Sequence, residues 1–246
     1  QDRVQTEEEK GQEAGQAAYH RDASRLESLK NLAERYDGYG NSIRRVMERK
    51  GDTPGIRGVV ADLIQVDKDY EVAVETALGG SIQNIVTDDE QTAKGLIEYL
   101  KKNRYGRATF LPLTSIRSRS GIQQEAVLNE SGVVGVASGL VQTEHRYQEL
   151  IRYLLGKTLV VRKMDHAIAI GRKYRHSLRM VTLEGESFSP GGSMTGGAYK
   201  NNSNLLGRRR EIEELAAAVK AHQEELEKIQ ADQQAAREKR NQQREE

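Results

Sequence analysis

Few residues in this sequence have the types and the spacing that catalysis requires. The segment Gly156–Thr158 (GKT) matches the end of a phosphate-binding loop, but that motif needs a glycine where the sequence has Ile151. The acidic run Asp88–Glu90 could supply paired carboxylates, yet such a run is also typical of a helix start. Other common catalytic motifs are missing from the sequence. We therefore expect no enzymatic activity in this fragment, and an enzyme domain that binds a small molecule is the least favoured interpretation.

The sequence also offers few side chains for metal binding or redox chemistry. The 246 residues include no cysteine, which removes disulfides, thiolate zinc sites and cysteine nucleophiles together. The histidines are scattered, and no two of them have the i, i+4 spacing of a helical metal site. They are His20, His145, His166, His176 and His222. We expect them to be packed or solvent-exposed, with no metal and no cofactor in this fragment.

The strongest local signal is the glycine-rich segment Ser189–Ala198 (SPGGSMTGGA), which follows a predicted strand. Its glycines could cradle a phosphate or let a second backbone approach closely. A phosphate cradle needs a helix directly after the loop, and Asn201–Ser203 intervenes although Lys200 is near. The residues between the glycines also argue against a merely flexible linker. We therefore predict a twofold homodimer with these interface residues: Gly191, Gly192, Ser193, Thr195, Gly196 and Gly197.

An internal repeat predicts the elements that carry this segment. Gly58–Gly79 aligns without a gap on Gly135–Gly156, at an offset of 77 residues and with seven identities. Each copy reads as a strand and a helix, followed by a short strand, an aspartate that can cap a helix (Asp88; Asp165), that helix and a further strand. The fold class is therefore α+β. We expect two related α/β halves about a pseudo-twofold axis, with sheet edges that must be covered or paired.

Both ends of the chain read as helical arms. Each has a narrow apolar stripe with 3,4 spacing, and such a stripe needs a partner helix. The later stripe comprises Leu205, Ile212, Leu215, Val219, Leu226, Ile229 and Ala236; the earlier one, which is weaker, comprises Tyr19, Leu26, Leu29, Ala33, Tyr36, Ile43 and Met47. We predict that the two arms form an antiparallel coiled coil. The alternative is two independent helices that dock on the core or pair between molecules.

Several segments resemble, in order, the hinge region of structural maintenance of chromosomes (SMC) proteins, especially bacterial homodimeric members. They are GVVADLIQV, ETALGG, GRATFLPL, VTLEGE followed by PGGSMTGG, and LLGRRREIEEL, and they cover about residues 54–215. With the repeat and the stripes, this resemblance implies an N-terminal coiled-coil arm (1–53), hinge subdomains I (54–125) and II (126–200), and a C-terminal arm (201–246). It also implies a ring-like homodimer with the glycine segment at its interface, and ATPase heads outside this fragment.

Basic residues cluster at Arg208–Arg210, Arg44–Arg45 and Arg49–Lys50, which pairing of the arms would bring to one end of the domain. The resemblance implies that basic residues near the coiled-coil root contact DNA. We predict weak binding without sequence preference through Arg208, Arg209 and Arg210, helped by Lys200, Lys101 and Lys102. The alternatives are a solvated helix face paired with nearby glutamates and, for the whole module, an adaptor that binds only protein.

The sequence has neither a run of 18 apolar residues nor a basic-then-apolar leader. We therefore expect no membrane partner, and the missing catalytic motifs predict no small-molecule substrate. The resemblance implies a role in chromosome condensation and segregation, and hence a cytoplasmic, nucleoid-associated location.

Overall fold

The structure is a computed structural model that describes residues 2–118, 120–198 and 204–245. It forms two compact units. One is globular and runs from Tyr36 to Arg210, and the other consists of the two helical arms, up to Arg35 and from Glu211. The domain boundaries drawn from the sequence, after residues 53, 125 and 200, remain predictions.

Half I of the globular unit contains a three-stranded sheet of order β1-β3-β4, in which β3 is antiparallel to β1 and parallel to β4. Its strands are β1 (Ile56–Val59), β2 (Gln65–Val66), β3 (Ile85–Thr87) and β4 (Phe110–Pro112), and its helices are α2 (Asn41–Met47), α3 (Glu71–Leu78) and α4 (Glu90–Asn103). Short 3₁₀ helices span Val60–Leu63, Lys68–Tyr70 and Gly79–Gln83. Strand β3 is fully buried, as its β-branched sequence favours.

Half II repeats this arrangement and extends it to a five-stranded sheet of order β10-β9-β8-β7-β5. Its strands are β5 (Val133–Val136), β6 (Val141–Gln142), β7 (Thr158–Val161), β8 (Arg179–Thr182), β9 (Ser187–Phe188) and β10 (Met194–Thr195), and its helices are α5 (Gln148–Leu155) and α6 (Met164–Lys173). The 3₁₀ helices span Glu125–Asn129, Ala137–Leu140 and His145–Tyr147. As in half I, the central strand β7 is antiparallel to one neighbour, β5, and parallel to the other, β8.

A twofold relation between the halves is visible in the small sheet that joins them. Strands β2 and β6 pair antiparallel, and Gln65 lies opposite Gln142. These two residues are equivalent positions of the internal repeat. A residue lies opposite its own equivalent only when an approximate twofold axis passes between them. The predicted pseudo-twofold arrangement of two related halves is confirmed.

One apolar core continues from half I into half II. It contains β1 and β3 residues such as Val59 and Ile85, and it includes Leu150 of α5 and Val160 of β7. A smaller cluster beneath α6 contains Leu159 and Ile170. Because most of the buried side chains belong to a shared core, the halves fold as one unit.

The acidic run Asp88–Glu90 lies at the start of α4, as one interpretation of the sequence predicted, but the capping residue is not the predicted one. Asp89 is the N-cap, and its carboxylate accepts the backbone N–H of Thr92 at 2.8 Å, which lowers the pKa of Asp89. Asp88 instead forms an ion pair with Arg57. The guanidinium donates two hydrogen bonds to the Asp88 carboxylate, and the one from Nη2 is 2.9 Å long. In half II, Asp165 lies inside the first turn of α6. The prediction that Asp88 and Asp165 cap these helices is wrong, because spacing alone does not fix the helix start to one residue.

The arm unit consists of α1 (Asp2–Glu34) and α7 (Leu205–Glu245), which pack together as antiparallel helices. The early part of α1 contacts the late part of α7, where Gln12 hydrogen-bonds Gln233 at 3.1 Å. The late part of α1 contacts the early part of α7, where Arg25 forms an ion pair with Glu211 at 3.1 Å. Leu26 and Leu29 are buried, and the stripe residues of α7 from Ile212 to Ile229 are half-buried between exposed neighbours. These contacts confirm the antiparallel helical pair and the seam from Ile212 to Ile229. The two ends of the predicted stripe are wrong: Ala236 is exposed, and Leu205 is buried in the core of the globular unit.

The stripe of the incoming arm ends earlier than predicted. Helix α1 stops at Glu34, and Tyr36 and Gly38 adopt left-handed backbone angles, with φ of 53° and 89°. Ile43 and Met47 lie in the separate short helix α2 and are buried in the core of the globular unit. The assignment of Tyr36, Ile43 and Met47 to the arm is wrong, because a core-facing helix has the same 3,4 spacing as a coiled-coil seam.

Candidate functional site

The glycine-rich segment forms one edge of the half II sheet. Strand β10 pairs with β9, Met194 opposite Phe188 and Thr195 opposite Ser187, and it is the last strand of the order β10-β9-β8-β7-β5. Residues 191–198 are all exposed, and Met194 retains 55% of its accessible surface. An exposed terminal strand offers unpaired backbone donors and acceptors to another strand. Among the described residues β10 is therefore an edge strand; Thr195 lies in it, and the other five predicted interface residues lie in the turns directly before and after it.

Three of these glycines also have a conformational role within the monomer. Gly191, Gly192 and Gly197 have φ of 95°, 100° and 135°, which residues with a Cβ rarely adopt. The N–H of Gly191 donates to the backbone carbonyl of His176 at 2.7 Å and ties the turn to the end of α6. The glycines thus shape the turn that presents β10.

The half I sheet has a complementary open edge. Strand β4 corresponds to β8, because each is the parallel neighbour of the central strand of its half. Beyond β8 the half II sheet continues with β9 and β10, whereas in the described residues the half I sheet stops at β4. The molecule therefore carries one surplus edge strand in half II and one uncovered edge in half I.

The three arginines at the start of α7 face the globular unit. The guanidinium of Arg208 donates to the carbonyl of Asp37 at 2.7 Å, and that of Arg209 donates to the carbonyl of Ala61 at 3.2 Å. Arg210 forms an ion pair with Glu71, and the two side chains retain 25% and 7% of their exposure. The sequence analysis did not anticipate these internal partners, which are distant in the sequence.

The two predicted lysines of α4 lie in a different environment. Lys101 and Lys102 are exposed in the last turn of α4, which favours cations. They adjoin a basic and aromatic surface that the sequence analysis described only in part: Arg45 stacks over Tyr105 at 4.7 Å, Arg49 stacks over Tyr99 at 4.5 Å, and Arg104 and Arg107 are exposed. Tyr99 and Tyr105, which flank Lys101 and Lys102 in the sequence, are the residues from which this surface could have been predicted. Lys200, the remaining predicted residue, lies outside the described residues.

Metal and membrane sites can be assessed for the described part of the chain. No group of three or more histidine and acidic side chains there could hold a metal ion. None of the described helices combines the length and apolar composition that a membrane span needs.

The fold is thus a duplicated α+β domain that is preceded and followed in the sequence by two helices that pair antiparallel, and comparisons with known proteins give its family. Residues 53–171 match the family model of the SMC proteins flexible hinge domain. The crystal structure of an asymmetric dimer of the SMC hinge domain from Geobacillus stearothermophilus superposes with a TM-score of 0.86, at 36% identity over 97% of this chain and 99% of that chain. The hinge domain of the Pyrococcus furiosus SMC protein gives a TM-score of 0.55 at 31% identity, over 74% and 90% of the two chains.

Curated relatives agree with this assignment. The chromosome partition protein Smc of Lactiplantibacillus plantarum is 43% identical over 84% of this chain, and that of Bacillus subtilis is 43% identical over 78%. The chain belongs to the SMC flexible hinge domain family. It spans only 18% and 16% of the length of these two relatives, which are much longer proteins.

Proposed function

We propose that this chain is the homodimerisation hinge of a chromosome partition protein, where it joins two coiled-coil arms. The observation that carries the proposal is the match between a surplus exposed strand, β10, and an uncovered edge, β4. In a twofold dimer, β10 of each protomer would pair with β4 of its partner, which would form two equivalent contacts and close a ring. The hinge domain of Geobacillus stearothermophilus crystallised as an asymmetric dimer, which supports self-association. The alternative, an adaptor that binds other proteins, does not explain the complementary edges.

Lysine substitutions on the two edges test this pairing. We expect Met194→Lys with Thr195→Lys to block the β10 edge, and Thr109→Lys, beside β4, to block the other, because charge on an edge strand opposes pairing. Met194, Thr195 and Thr109 are exposed, so both variants should keep the wild-type circular dichroism spectrum. Each variant alone should sediment as a monomer.

Mixing the two variants distinguishes the proposed pairing from others. The mixture retains one intact contact, between β4 of the first variant and β10 of the second, so heterodimers should appear. Dimers in the Thr109→Lys variant alone would indicate that β10 pairs with β10 and would contradict the proposal. A mixture that stays monomeric would also contradict it.

We further propose that the hinge contacts DNA without sequence preference through the exposed cations near the end of α4, with the full-length protein acting at the nucleoid as an ATPase. Lys101 and Lys102 are supported by their exposure and by the nearby Arg45 and Arg49, whose stacking on tyrosines holds them at the surface. Lys200 remains a predicted contributor. Arg208, Arg209 and Arg210 can contribute to DNA binding only to the extent that their contacts within the protein leave them accessible.

The salt dependence of DNA affinity tests this assignment. Lys101→Glu with Lys102→Glu should weaken binding and should flatten the plot of log affinity against log salt by about 0.9 for each phosphate that the variant no longer neutralises. Lys68→Glu with Lys94→Glu, two exposed positions with the same change in net charge, is the matched control. Anisotropy of a labelled oligonucleotide at several salt concentrations gives both quantities. Equal weakening in the two variants would assign the effect to net charge and would remove Lys101 and Lys102 from the site.

A further inference from the structure

The apolar side chains beneath α6 form a row across the half II sheet. Leu159 lies opposite Met180 on the next strand, and Met180 lies opposite Phe188. All three are buried in the cluster beneath α6. Met194 of β10 lies opposite Phe188, and residues directly opposite each other share a sheet face. The row therefore ends at the sheet edge in Met194, which is 55% exposed.

The corresponding row of half I is shorter. The last residue of β1 lies opposite Ile85, and its repeat equivalent in β5 lies opposite Leu159, so Ile85 corresponds to Leu159. Ile85 in turn lies opposite Phe110, as Leu159 lies opposite Met180. Phe110 is therefore the half I equivalent of Met180. In the described residues no strand follows β4 in this sheet, so the row stops at Phe110, which is half-buried.

The helices above the two rows also correspond. Each ends in a backbone hydrogen bond to a carbonyl five residues earlier, and the acceptor is Leu100 in α4 and Gly171 in α6. Three residues before each acceptor, Ile97 corresponds to Ile168. Ile168 lines a cavity of about 360 Å³ together with residues of β9 and β10, so it lies above the outer strands of its sheet. Among the described residues half I has no such strands, and Ile97 is 44% exposed.

The position of Ile97 around α4 places it over the open edge of the half I sheet. The hydroxyl of Thr114, which follows β4, donates to the Glu90 carboxylate at 2.8 Å. Ile97 comes seven residues after Glu90, which is close to two helical turns, so both side chains lie on the same side of α4. On the other side of α4, Thr92 lies against Gly55, which precedes β1. Ile97 therefore overhangs the β4 edge.

We propose that Met194 of a second copy completes the half I row, an inference that rests on the homodimer proposed above. In each contact, β10 of one protomer runs antiparallel to β4 of the other, with Met194 opposite Phe110 and beneath Ile97. The two rows then join into one apolar row that crosses the contact. Met194 takes the place beside Phe110 that Phe188 takes beside Met180 in half II. The two exposed apolar side chains, Met194 and Ile97, are buried together.

The direction of the pairing follows from the handedness of the halves. Helix α4 connects the parallel strands β3 and β4, α6 connects β7 and β8, and such connections are right-handed. Two antiparallel pairings separate β10 from β8, so these two strands run in the same direction. The two helices then lie on the same face of the joined sheet only if β10 is antiparallel to β4. A parallel pairing would place Met194 on the face away from Ile97 and leave both exposed.

Disulfide crosslinking tests the direction, since the chain has no cysteine of its own. The proposed register places Thr195 opposite Thr109, at a Cα separation of about 4.5–5.5 Å that a disulfide can span. Ser193 lies on the diagonal, about 7–8 Å away, and is opposite Thr109 only in a parallel pairing. All three positions are exposed. Thr109→Cys and Thr195→Cys should therefore crosslink when mixed but not singly, and Ser193→Cys should link to Thr109→Cys roughly tenfold more slowly.

The outcomes separate this inference from the proposed function. Faster linking of Thr109→Cys to Ser193→Cys than to Thr195→Cys would show a parallel pairing and would overturn the inference, while the homodimer would stand. A chain that sediments as a monomer at every concentration would contradict the proposed function itself, and this inference with it.

The variant Ile97→Ser tests the helix contact. In a dilution series followed by analytical ultracentrifugation, it should raise the dimer dissociation constant about tenfold, because each dimer loses two isoleucine contacts. Leu128→Ser is the matched control, since Leu128 is 42% exposed and lies beside β5, at the end of the half II sheet opposite β10. It should leave the dissociation constant unchanged, and both variants should keep the wild-type circular dichroism spectrum. A dissociation constant that Ile97→Ser does not alter, or that both variants raise equally, would overturn the proposal.

Discussion

The ion pair between Arg210 and Glu71 allows the structural role of the arginine cluster to be measured. Glu71 is 6% exposed, so removing its partner leaves a buried carboxylate without its cation. We expect Arg210→Met, which keeps an apolar stem of similar length, to destabilise the globular unit by about 3 kcal/mol. This value is at the low end of the range for broken buried pairs, because the Arg210 side chain retains 25% of its exposure. For a unit of this size, the melting temperature should fall by roughly 6–12 °C.

The double variant identifies the cause. In Arg210→Met with Glu71→Met no charge is left buried, so most of the stability should return, since apolar replacement of a whole buried pair is often close to neutral. Thermal unfolding followed by circular dichroism, with a denaturant titration, measures both variants. The double variant should also bind DNA nearly as well as the wild type does. An Arg210→Met variant with an unchanged melting temperature but no DNA binding would refute this reasoning and return Arg210 to the DNA surface.

Three further changes test other parts of the structure. Cysteines at Gln12 and Gln233 should form a disulfide within one chain, seen as a mobility shift on non-reducing gels, while a pair at Gln12 and Leu215 should not; bridging only between chains would contradict the arm pairing. Gly132→Ala should destabilise the protein by about 1–3 kcal/mol in chemical denaturation, because φ is 83° there and the new Cβ would lie 2.2 Å from the His166 ring. Gly95→Ala in the exposed face of α4 meets nothing within 4 Å and should stabilise by about 0.5–1 kcal/mol.

The internal repeat made much of the fold predictable. Identities such as Gln65 and Gln142 implied two halves of the same strand and helix order, and the axis between these residues follows from it. The heptad stripes predicted the arms from Tyr19 to Ala33 and from Ile212 to Ile229. The end of α1 before Tyr36 was not visible in the sequence, because an αL conformation at a tyrosine has no sequence signature.

The candidate surfaces were only partly predictable. The glycine segment was predicted to lie beside a sheet edge, and in the described residues β10 is the last strand of the half II sheet; its role as a dimer interface stays a prediction. The internal contacts of the three arginines could not be predicted, because their partners Asp37, Ala61 and Glu71 are brought to them by tertiary folding. A run of like charges in a sequence gives the number of cations but not the direction in which they point.

The pairing of Gln65 with Gln142 carries an evolutionary consequence. A twofold axis between equivalent residues is the geometry of a symmetric pair of small domains fused into one polypeptide by duplication. The two halves now differ: half I has Glu71 and Glu75 where half II has Gln148 and Arg152, and in the described residues half II alone continues into β9 and β10. Gln65 and Gln142 lie opposite each other at the axis, so a substitution at either glutamine alters the surroundings of its own repeat equivalent.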